Sequence, residues 1–257
     1  MTTSLVTGAS SGIGMAFARR LAARGDDLVI VARNEGRLKE LADEIQSGLR
    51  RDVEVLPADL TLADDLSRVE TRLNDDDRPI DLLVNNAGFG TAGRFVELPV
   101  GREDEEIRLN VLALMRLSHA ALDGMVRRGH GGVINVSSIG GFQPGARNAT
   151  YSATKAFVTS FSEALHEELR GTGVKLLALC PGFTRTEFQE RGGFDTEKIP
   201  KRAWQTPETV VDAALAAYGK GKALCIPGFG NKAMASMTHL APRSLVRRVS
   251  AKVSERF

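Results

Sequence analysis

Several residue types that carry distinctive chemistry are scarce in this chain of 257 residues. Only two cysteines occur, Cys180 and Cys225, and they stand in separate apolar runs, so we expect neither a disulfide framework nor a cysteine-based zinc site. The four histidines are far apart. His166 is followed by two glutamates but by no histidine four residues later, which leaves the metalloprotease pattern incomplete. The sequence therefore predicts no bound metal.

Long apolar runs and an excess of one charge are also missing. The longest stretch without a charged residue, 129–146, is interrupted by six glycines and Pro144, so it does not resemble a membrane span. The apolar residues Leu5 and Val6 lead directly into Gly8, too short a run for a secretory signal, which favours a cytoplasmic protein. The net charge of +2 offers no general attraction for nucleic acid.

Short β-branched runs alternate along the chain with longer helical patterns. The runs are apolar almost throughout, as in strands that are buried on both faces of a parallel sheet. This alternation predicts an α/β protein with a doubly wound sheet of about seven parallel strands, helices on both faces, and one domain over 1–257. The predicted strands are 4–7, 28–32, 53–57, 82–85, 133–137, 175–180 and 223–227, and the predicted helices are 13–24, 35–50, 62–74, 103–128, 151–170 and 207–218.

Periodicity also predicts which way two helical segments face. The basic tail 231–257 has six basic residues and one acidic residue, and its apolar residues recur at helical spacing at Leu245, Val246, Val249 and Val253. In the helix 151–170, apolar residues at spacings of three and four predict the face that packs inward. These residues are Ala153, Phe157, Phe161, Ala164, Leu165 and Leu169.

The turn after the first predicted strand is the first motif with a chemical interpretation. Unpaired N–H groups and the helix dipole at the start of a helix favour a pyrophosphate, and glycine lets the backbone approach it. The spacing of the glycines differs from the G-x-G-x-x-G fingerprint, and a plain tight turn is the alternative. The residues predicted to contact a dinucleotide here are Gly8, Ser10, Ser11, Gly12, Ile13 and Gly14.

Further motifs follow in order along the chain. Asn85-Asn86-Ala87-Gly88 follows the fourth strand, and Asn110, Ser138, the Y-x-x-x-K pair Tyr151 and Lys155, then Pro181-Gly182 and Thr186 come after it. Together with the glycine turn, this series resembles the short-chain dehydrogenases/reductases from Thr7 to Thr186, whereas the last 70 residues match that family only loosely. The resemblance implies a Rossmann-type fold, a nicotinamide cofactor and oxidoreductase activity.

The tyrosine and lysine of this series also have a direct chemical interpretation. Lys155 lies four residues after Tyr151 and therefore on the same helical face. Its ammonium group favours phenolate and is expected to lower the pKa of Tyr151 from about 10. Tyr151 can then give a proton to a carbonyl oxygen as hydride reaches the carbon, or accept one in the reverse reaction. The alternative is an exposed pair without a role.

Ser138 and Asn110 complete the predicted catalytic set. Ser138 would hydrogen-bond the substrate oxygen. Ser137 is the competing candidate, and the thirteen-residue spacing to the tyrosine that is usual in the family favours Ser138. A buried amide at Asn110 needs a partner. In the family this residue bends its helix and anchors a water that supplies protons to the lysine, and a helix-surface asparagine is the alternative.

The choice of cofactor rests on the end of the second strand. Enzymes that prefer NAD place an acidic residue there, but this chain has Ala32-Arg33-Asn34. Arg33 offers a planar donor fork for a 2′-phosphate, which predicts NADP(H), unless Arg33 is only a solvated charge. The resemblance adds further cofactor contacts: Asp59 and Leu60 at the adenine, Asn86, Ala87 and Gly88 at the ribose, and Tyr151, Lys155, Pro181, Gly182, Thr184 and Thr186 at the nicotinamide end.

The segment 183–205 lies where family members carry a substrate lid. Phe188 and Phe194, with Gly192 and Gly193, fit a flexible flap and favour an apolar substrate. The tail is expected to pack on its own domain or on a neighbouring subunit, with contact to a membrane surface as the alternative. Family members commonly pair the helix that begins at Tyr151, which implies a homodimer or a homotetramer.

These observations predict an NADPH-dependent oxidoreductase that interconverts a carbonyl and a secondary alcohol. One alternative is an NADP(H)-binding regulator or membrane-surface scaffold without turnover. Another is an epimerase or dehydratase that uses the same tyrosine and lysine. The identity of the small-molecule substrate does not follow from the sequence.

Overall fold

The computed structural model describes residues 2–193 and 199–254. Its seven strands are β1 (Thr3–Thr7), β2 (Asp27–Ala32), β3 (Val53–Pro57), β4 (Leu82–Asn85), β5 (Gly131–Val136), β6 (Val174–Leu179) and β7 (Leu224–Cys225). All neighbouring strands are parallel, in the order β3-β2-β1-β4-β5-β6-β7. The predicted doubly wound, Rossmann-type α/β fold is therefore confirmed.

The helices agree with the sequence pattern except in three places. The predicted helix 103–128 begins earlier, at Val100, and a π-helical turn at Arg108–Ala113 divides it into α4 and α5. The helices α7 and α9 were not predicted. The full set is α1 (Gly12–Ala23), α2 (Glu35–Leu49), α3 (Ala63–Leu73), α4 (Val100–Ile107), α5 (Leu114–Arg128), α6 (Ala149–Glu168), α7 (Phe188–Arg191), α8 (Pro207–Gly219), α9 (Phe229–Leu240) and α10 (Arg243–Ser254).

Both faces of the sheet are covered by apolar cores, which explains the apolar strands. Successive residues of a strand point to opposite faces. In β1, for example, Val6 belongs to the core beneath α1, α2 and α8, whereas Leu5 belongs to the core beneath α3 and α5. Both side chains are fully buried. Because most strand residues pack into one core or the other, the strands show no regular alternation of apolar and polar residues.

The face predicted to be buried on α6 is wrong at three of its six positions. Leu169 is buried and Phe161 and Leu165 are partly buried, but Ala153 and Ala164 are exposed and Phe157 is 39% exposed. Polar groups point inward instead, because the sheet offers them partners: Asn135 Nδ2, for instance, donates to Ser162 Oγ at 3.0 Å. The residues buried on α6 are Ser152, Thr154, Lys155, Val158, Thr159 and Ser162.

The basic tail forms the predicted helix, α10, which packs on its own domain through one face. Val246 is buried, and Ser250 Oγ donates to the backbone carbonyl of Pro144 at 2.6 Å. Leu245 and Val249 stay exposed. Within residues 2–193 and 199–254, no helix is both long and apolar enough to cross a membrane.

Candidate functional site

The predicted site residues lie beyond the carboxyl ends of the central strands. The chain reverses its winding direction between β1 and β4, which are neighbours in the sheet. Ligands of open α/β sheets bind in the crevice that forms at such a point. The glycine turn follows β1, Asn86 to Gly88 follow β4, Ser138 follows β5, and Pro181 to Thr186 follow β6. The fold therefore gathers segments that are distant in sequence at one edge of the sheet.

The glycine turn leads from β1 into α1 with very little space around it. Gly8 has φ 67°, a conformation that favours glycine. A Cβ at Gly14 would lie only 2.2 Å from the carbonyl oxygen of Gly8. In the described structure, no side chain caps the first turn of α1 and that turn holds no acidic residue. Its N–H groups are therefore available to an anion in the crevice. The partly exposed residues of the turn are Gly8, Ser10, Ser11, Gly12 and Ile13.

The segment after β4 is bonded to the glycine turn. Thr7 Oγ1 accepts hydrogen bonds from the backbone N–H groups of Asn86 and Ala87, each at 3.0 Å. The Asn86 side chain donates to the carbonyl oxygen of Thr7 at 2.9 Å. At Gly88, a Cβ would lie 2.8 Å from Asn110 Oδ1 and 3.5 Å from Lys155 Nζ. This segment therefore links the predicted dinucleotide turn to the predicted catalytic residues.

Ser138, Tyr151 and Lys155 lie together at the end of β5 and the start of α6. Ser138 forms a hydrogen bond with the side chain of Tyr151. Lys155 Nζ lies 5.8 Å from the centre of the Tyr151 ring and donates to the carbonyl oxygen of Val136 at 2.8 Å. The lysine is 5% exposed, whereas Tyr151 and Ser138 are partly exposed to the crevice. A hydroxyl, a phenol and an amine thus surround one position.

The structure also separates the two neighbouring serines. Ser137 is 3% exposed, and its Oγ donates to the backbone carbonyl of Lys155 and contacts Thr159 Oγ1, each at 2.7 Å. Its hydroxyl therefore anchors α6 to β5. Ser138 Oγ accepts a hydrogen bond from the backbone N–H of Gly140 at 3.0 Å and is turned toward Tyr151. Of the two candidates, Ser138 is the one that faces the crevice.

Asn110 is buried within the π-helical turn. Its Nδ2 donates to the carbonyl oxygen of Phe89 at 2.8 Å and to Thr154 Oγ1 at 3.1 Å, and its Oδ1 accepts from the Phe89 N–H at 3.1 Å. The side chain therefore clamps the loop after Gly88 against α6. Because the amide is buried and hydrogen-bonded, the alternative of a solvated asparagine on the helix surface is excluded. The helix departs from α-helical geometry at this residue, as the resemblance implies.

The protonation of the tyrosine differs from the expectation. Burial raises the pKa of Tyr151 to about 12, and the hydrogen bond from Ser138 opposes that shift only in part. Burial also lowers the pKa of Lys155 to about 8. Desolvation disfavours both charged forms. The expected net lowering of the pKa of Tyr151 below 10 is therefore wrong for the protein alone, because the effect of burial is the largest.

Arg33, Asp59 and Leu60 lie at the ends of β2 and β3, away from the tyrosine. The Arg33 side chain is 68% exposed, and its Nη1 lies 3.8 Å from Asp59 Oδ2. Asp59 Oδ1 is held by the backbone N–H and hydroxyl of Thr61 at 3.0 and 2.7 Å. Leu60 is buried in the core below. The guanidinium of Arg33 is therefore presented to solvent at the mouth of the crevice.

The residues after β6 close the crevice opposite the glycine turn. The carbonyl oxygen of Pro181 accepts from the Ile139 N–H at 3.0 Å. Thr184 is 3% exposed and its hydroxyl donates to the carbonyl oxygen of Gly182 at 3.0 Å. Thr186 faces the glycine turn, because a Cβ at Gly12 would lie 2.8 Å from its methyl group. Residues 194–198 of the predicted lid, which include Phe194, lie outside the described residues.

Phe188 of the predicted lid lies next to the site, together with residues that were not singled out from the sequence, namely Gly90, Glu103 and Glu106. The ring of Phe188 lies 5.5 Å from that of Tyr151, and a Cβ at Gly90 would lie 2.8 Å from the tyrosine ring. On α4, Glu103 and Glu106 are buried. Their spacing of three residues from each other, and of four from Glu106 to Asn110, was the available signal, because it puts all three on one helical face. No group of three or more His, Cys, Asp or Glu residues within the described part of the chain could hold a metal ion.

Comparisons with known proteins agree with this geometry. Residues 2–195 match the family model described as short chain dehydrogenase. An uncharacterized oxidoreductase of Myxococcus xanthus is 40% identical over 194 residues, which cover 75% of this chain and 76% of that one.

Two solved structures extend the similarity over almost the whole chain. A short-chain dehydrogenase from Sphingobium yanoikuyae in complex with NADPH has a TM-score of 0.87 and 39% identity, with 95% of each chain covered. The bulky-bulky ketone specific alcohol dehydrogenase from Comamonas testosteroni has a TM-score of 0.81 and 36% identity, with 93% of each chain covered. The chain therefore belongs to the short-chain dehydrogenase family of oxidoreductases.

Proposed function

We propose that this protein uses NADPH to interconvert a carbonyl group and a secondary alcohol, with Tyr151 as the acid and base. The observation that supports this most directly is the contact of Tyr151 with Ser138, next to Lys155 and at the edge of the sheet where the glycine turn lies. In this proposal the chain is a single domain, in which the segment 183–205 is the substrate lid.

Each of the three side chains has a part in the proposed reaction. Tyr151, with a pKa of about 12, is protonated at neutral pH and donates its phenolic proton to the carbonyl oxygen. Ser138 donates a hydrogen bond to the same oxygen as negative charge develops on it. Lys155, with a pKa of about 8, is positively charged at neutral pH and stabilises the phenolate that remains. In the reverse direction the phenolate accepts the proton of the alcohol, while Asn110 holds the loop at Phe89 in place.

The crevice fits a dinucleotide along its length. Members of this family use a nicotinamide cofactor, which when bound supplies or accepts the hydride. The uncapped first turn of α1 suits the pyrophosphate, since its N–H groups are unpaired by side chains and no acidic residue repels an anion there. We assign the pyrophosphate to Gly8 and Ser10 to Gly14, the adenine to Asp59 and Leu60, the ribose to Asn86, Ala87, Gly88 and Lys155, and the nicotinamide to Pro181, Gly182, Thr184 and Thr186.

The preference for NADPH rests on Arg33. Its guanidinium is 68% exposed at the crevice mouth, and no acidic residue stands at Ala32 to repel a phosphate. A guanidinium binds phosphate oxygens through two parallel hydrogen bonds. The similar short-chain dehydrogenase from Sphingobium yanoikuyae was solved in complex with NADPH, which supports the same choice here.

The proposed substrate is a bulky, apolar ketone or the corresponding alcohol. Phe188 lies beside Tyr151, and Phe183 and Trp204 contact each other in the lid segment with ring centres 5.7 Å apart. Apolar rings bury apolar substrate surface. The similarity to the Comamonas testosteroni alcohol dehydrogenase, which is specific for bulky-bulky ketones, supports the same substrate class.

The test is to replace each of the two tyrosines of the chain by phenylalanine. We expect Tyr151→Phe to lower the turnover of a ketone by about 10²- to 10⁴-fold, because it removes the general acid. The matched control is Tyr218→Phe, which lies at the other end of the sheet, where a Cβ at Gly132 would meet its hydroxyl. Turnover is followed by nicotinamide absorbance with a panel of bulky ketones.

Near-parental turnover by a folded, NADPH-binding Tyr151→Phe variant would overturn the proposal. Product formation by the parent protein without net NADPH consumption would favour epimerisation or dehydration.

A further inference from the structure

A buried pair of carboxyl groups lies on α4, one helical turn from Asn110. Glu103 is 5% exposed and Glu106 is fully buried. The hydroxyl of Thr91 lies 2.7 Å from Glu103 Oε1 and 2.8 Å from Glu106 Oε2. Thr150 Oγ1 also donates a hydrogen bond to Glu103 Oε2. Neither glutamate has an ion-pair partner among the side chains that the structure describes.

Counting protons shows that one of these two carboxyl groups is neutral. The Thr91 hydroxyl carries a single proton, so it can donate to only one of its two carboxyl neighbours. The other neighbour must donate to the oxygen of Thr91, and a carboxyl group can donate only when it is protonated. Two ionised carboxylates at one hydroxyl would also repel each other, and neither glutamate forms a direct ion pair within the described structure that would offset this repulsion. The Glu103–Thr91–Glu106 chain therefore holds one shared acidic proton.

The unpaired oxygen identifies which group carries that proton. Both oxygens of Glu103 accept hydrogen bonds from hydroxyl groups, as an ionised carboxylate requires. Glu106 Oε1, by contrast, is buried and has no hydrogen-bond partner. An unpaired oxygen costs much less free energy in a neutral acid than in a carboxylate. The proton therefore belongs on Glu106, and burial accordingly raises the pKa of Glu106 to about 7.

Glu106 faces the charged residues of the candidate active site. Helix α6 packs against α4, and Asn110, one helical turn after Glu106, donates to Thr154 Oγ1, the neighbour of Lys155 on α6, at 3.1 Å. The titratable groups of α6 whose pKa the charge of Glu106 affects are Lys155 and Tyr151. Negative charge on Glu106 raises the pKa of both. On α4 itself Glu103 raises the pKa of Glu106, whereas the following Arg108 is turned outward and pairs with Asp104 at 2.7 Å. The charge of Glu106 is thus felt mainly at the tyrosine and lysine.

We propose that Glu106 is a positioning residue for Lys155: it is protonated within the Glu103–Thr91–Glu106 chain, and when it loses that proton its charge holds Lys155 in the ammonium form. The statement that this affects turnover rests on the proposed function. The effect on Lys155 itself does not. With Glu106 ionised, Lys155 keeps its proton to higher pH, so the reductive reaction extends further into the alkaline range.

The first measurement is the pKa of Lys155, determined by NMR of the full chain with labelled lysine side chains. The Lys155 signal is assigned because it is missing from the spectrum of Lys155→Arg. We expect Glu106→Gln, which mimics the neutral acid, to lower the pKa of Lys155 by about one unit. The matched control is Glu103→Gln. It removes the other buried carboxylate but leaves Glu106 ionised in the alkaline range, so the pKa of Lys155 should stay at the parental value.

The second measurement is infrared spectroscopy across neutral pH. We expect a protonated carboxyl band that disappears near pH 7 in the parent, shifts to lower pH in Glu103→Gln and is missing in Glu106→Gln. A band that persists in Glu106→Gln overturns the assignment of the proton. Equal Lys155 pKa values in folded Glu106→Gln and parent overturn the positioning role. If Lys155 shifts as expected but the parent reduces no ketone, Glu106 keeps its role and only the proposed function fails.

Discussion

Arg33 is the residue that carries the proposed choice of cofactor. Its guanidinium is held only loosely, at 3.8 Å from Asp59 in an exposed position, so it is free to turn toward a phosphate. An exposed ion pair of this kind contributes about 0–1 kcal/mol and offers little competition. A hydrogen-bonded phosphate, by contrast, is worth about 1.5–3 kcal/mol.

We therefore expect Arg33→Ala to raise the KM for NADPH by about 10- to 100-fold and to leave the KM for NADH nearly unchanged. Steady-state kinetics with both cofactors measures this. Arg170→Ala, which removes an exposed arginine paired with Glu167 at the far end of α6, is the control. An equal rise in the KM for NADPH and for NADH would show that Arg33 does not bind the 2′-phosphate.

Gly14 tests the packing of the glycine turn. An added Cβ would lie 2.2 Å from the Gly8 carbonyl, so Gly14→Ala must push the turn away from α1. We expect a loss of about 1–3 kcal/mol in unfolding free energy, together with weaker NADPH binding. In α2, Gly48 has nothing within 4 Å of its added Cβ, and Gly48→Ala should stabilise the protein by up to about 1 kcal/mol. Urea unfolding of both variants makes the comparison, and equal effects would contradict it.

Helix α6 has two faces with different surroundings, one packed on the sheet and one on the protein surface. Its inner face carries Lys155 and a row of small polar residues that bond to β5, while its outer face exposes Phe157 and Phe161, stacked 5.4 Å apart. Phe157 is exposed and Phe161 is partly exposed, and apolar residues that remain accessible at helical spacing favour contact with another helix. Family members act on small molecules and typically form oligomers. We propose that two copies pair through this face.

Phe157→Glu should therefore dissociate the oligomer. A charge placed in an apolar contact is unpaired, and we expect the dissociation constant to rise about 100-fold, equivalent to roughly 3 kcal/mol. Sedimentation velocity gives the mass. Phe229→Glu, at a phenylalanine that is 88% exposed at the start of α9, is the control and should keep the parental mass. An unchanged mass for Phe157→Glu would exclude α6 from the interface.

For the whole molecule, the buried acid makes stability depend on pH. The pKa of Glu106 rises from 4.5 to about 7 on folding, so between these values the folded chain binds more protons than the unfolded chain. The contribution of protonated Glu106 to the free energy of unfolding is therefore complete below about pH 4.5 and is lost as the pH rises through 7. The shift corresponds to roughly 3 kcal/mol.

Unfolding free energies of the parent and Glu106→Gln, measured in urea at pH 5 and pH 8, test this. Relative to the variant, the parent should lose up to about 3 kcal/mol between the two pH values. The difference between the two proteins cancels the titrating groups that do not interact with Glu106. A pH dependence that is the same in both would show that Glu106 has an ordinary pKa in the folded state.

The sequence by itself determined the fold class, the family and the features that depend on local spacing. Apolar strand runs require burial on both sheet faces, and Tyr151 and Lys155 share a helical face whatever surrounds them. Tertiary structure decided what local spacing leaves open. Periodicity marks a face of α6 but does not show whether the sheet supplies polar partners to the other face. Three of the six residues predicted to point inward are therefore exposed.

The same limit applies to side chains that meet across long separations in sequence. Whether Ser137 or Ser138 faces the crevice depends on where Thr159 lies, and the buried state of Glu103 and Glu106 depends on Thr91 and Thr150. A run of four acidic residues has the composition of a solvated surface. Only the packing of α4 against α6 removes two of them from water, and desolvation then raises the pKa of Glu106.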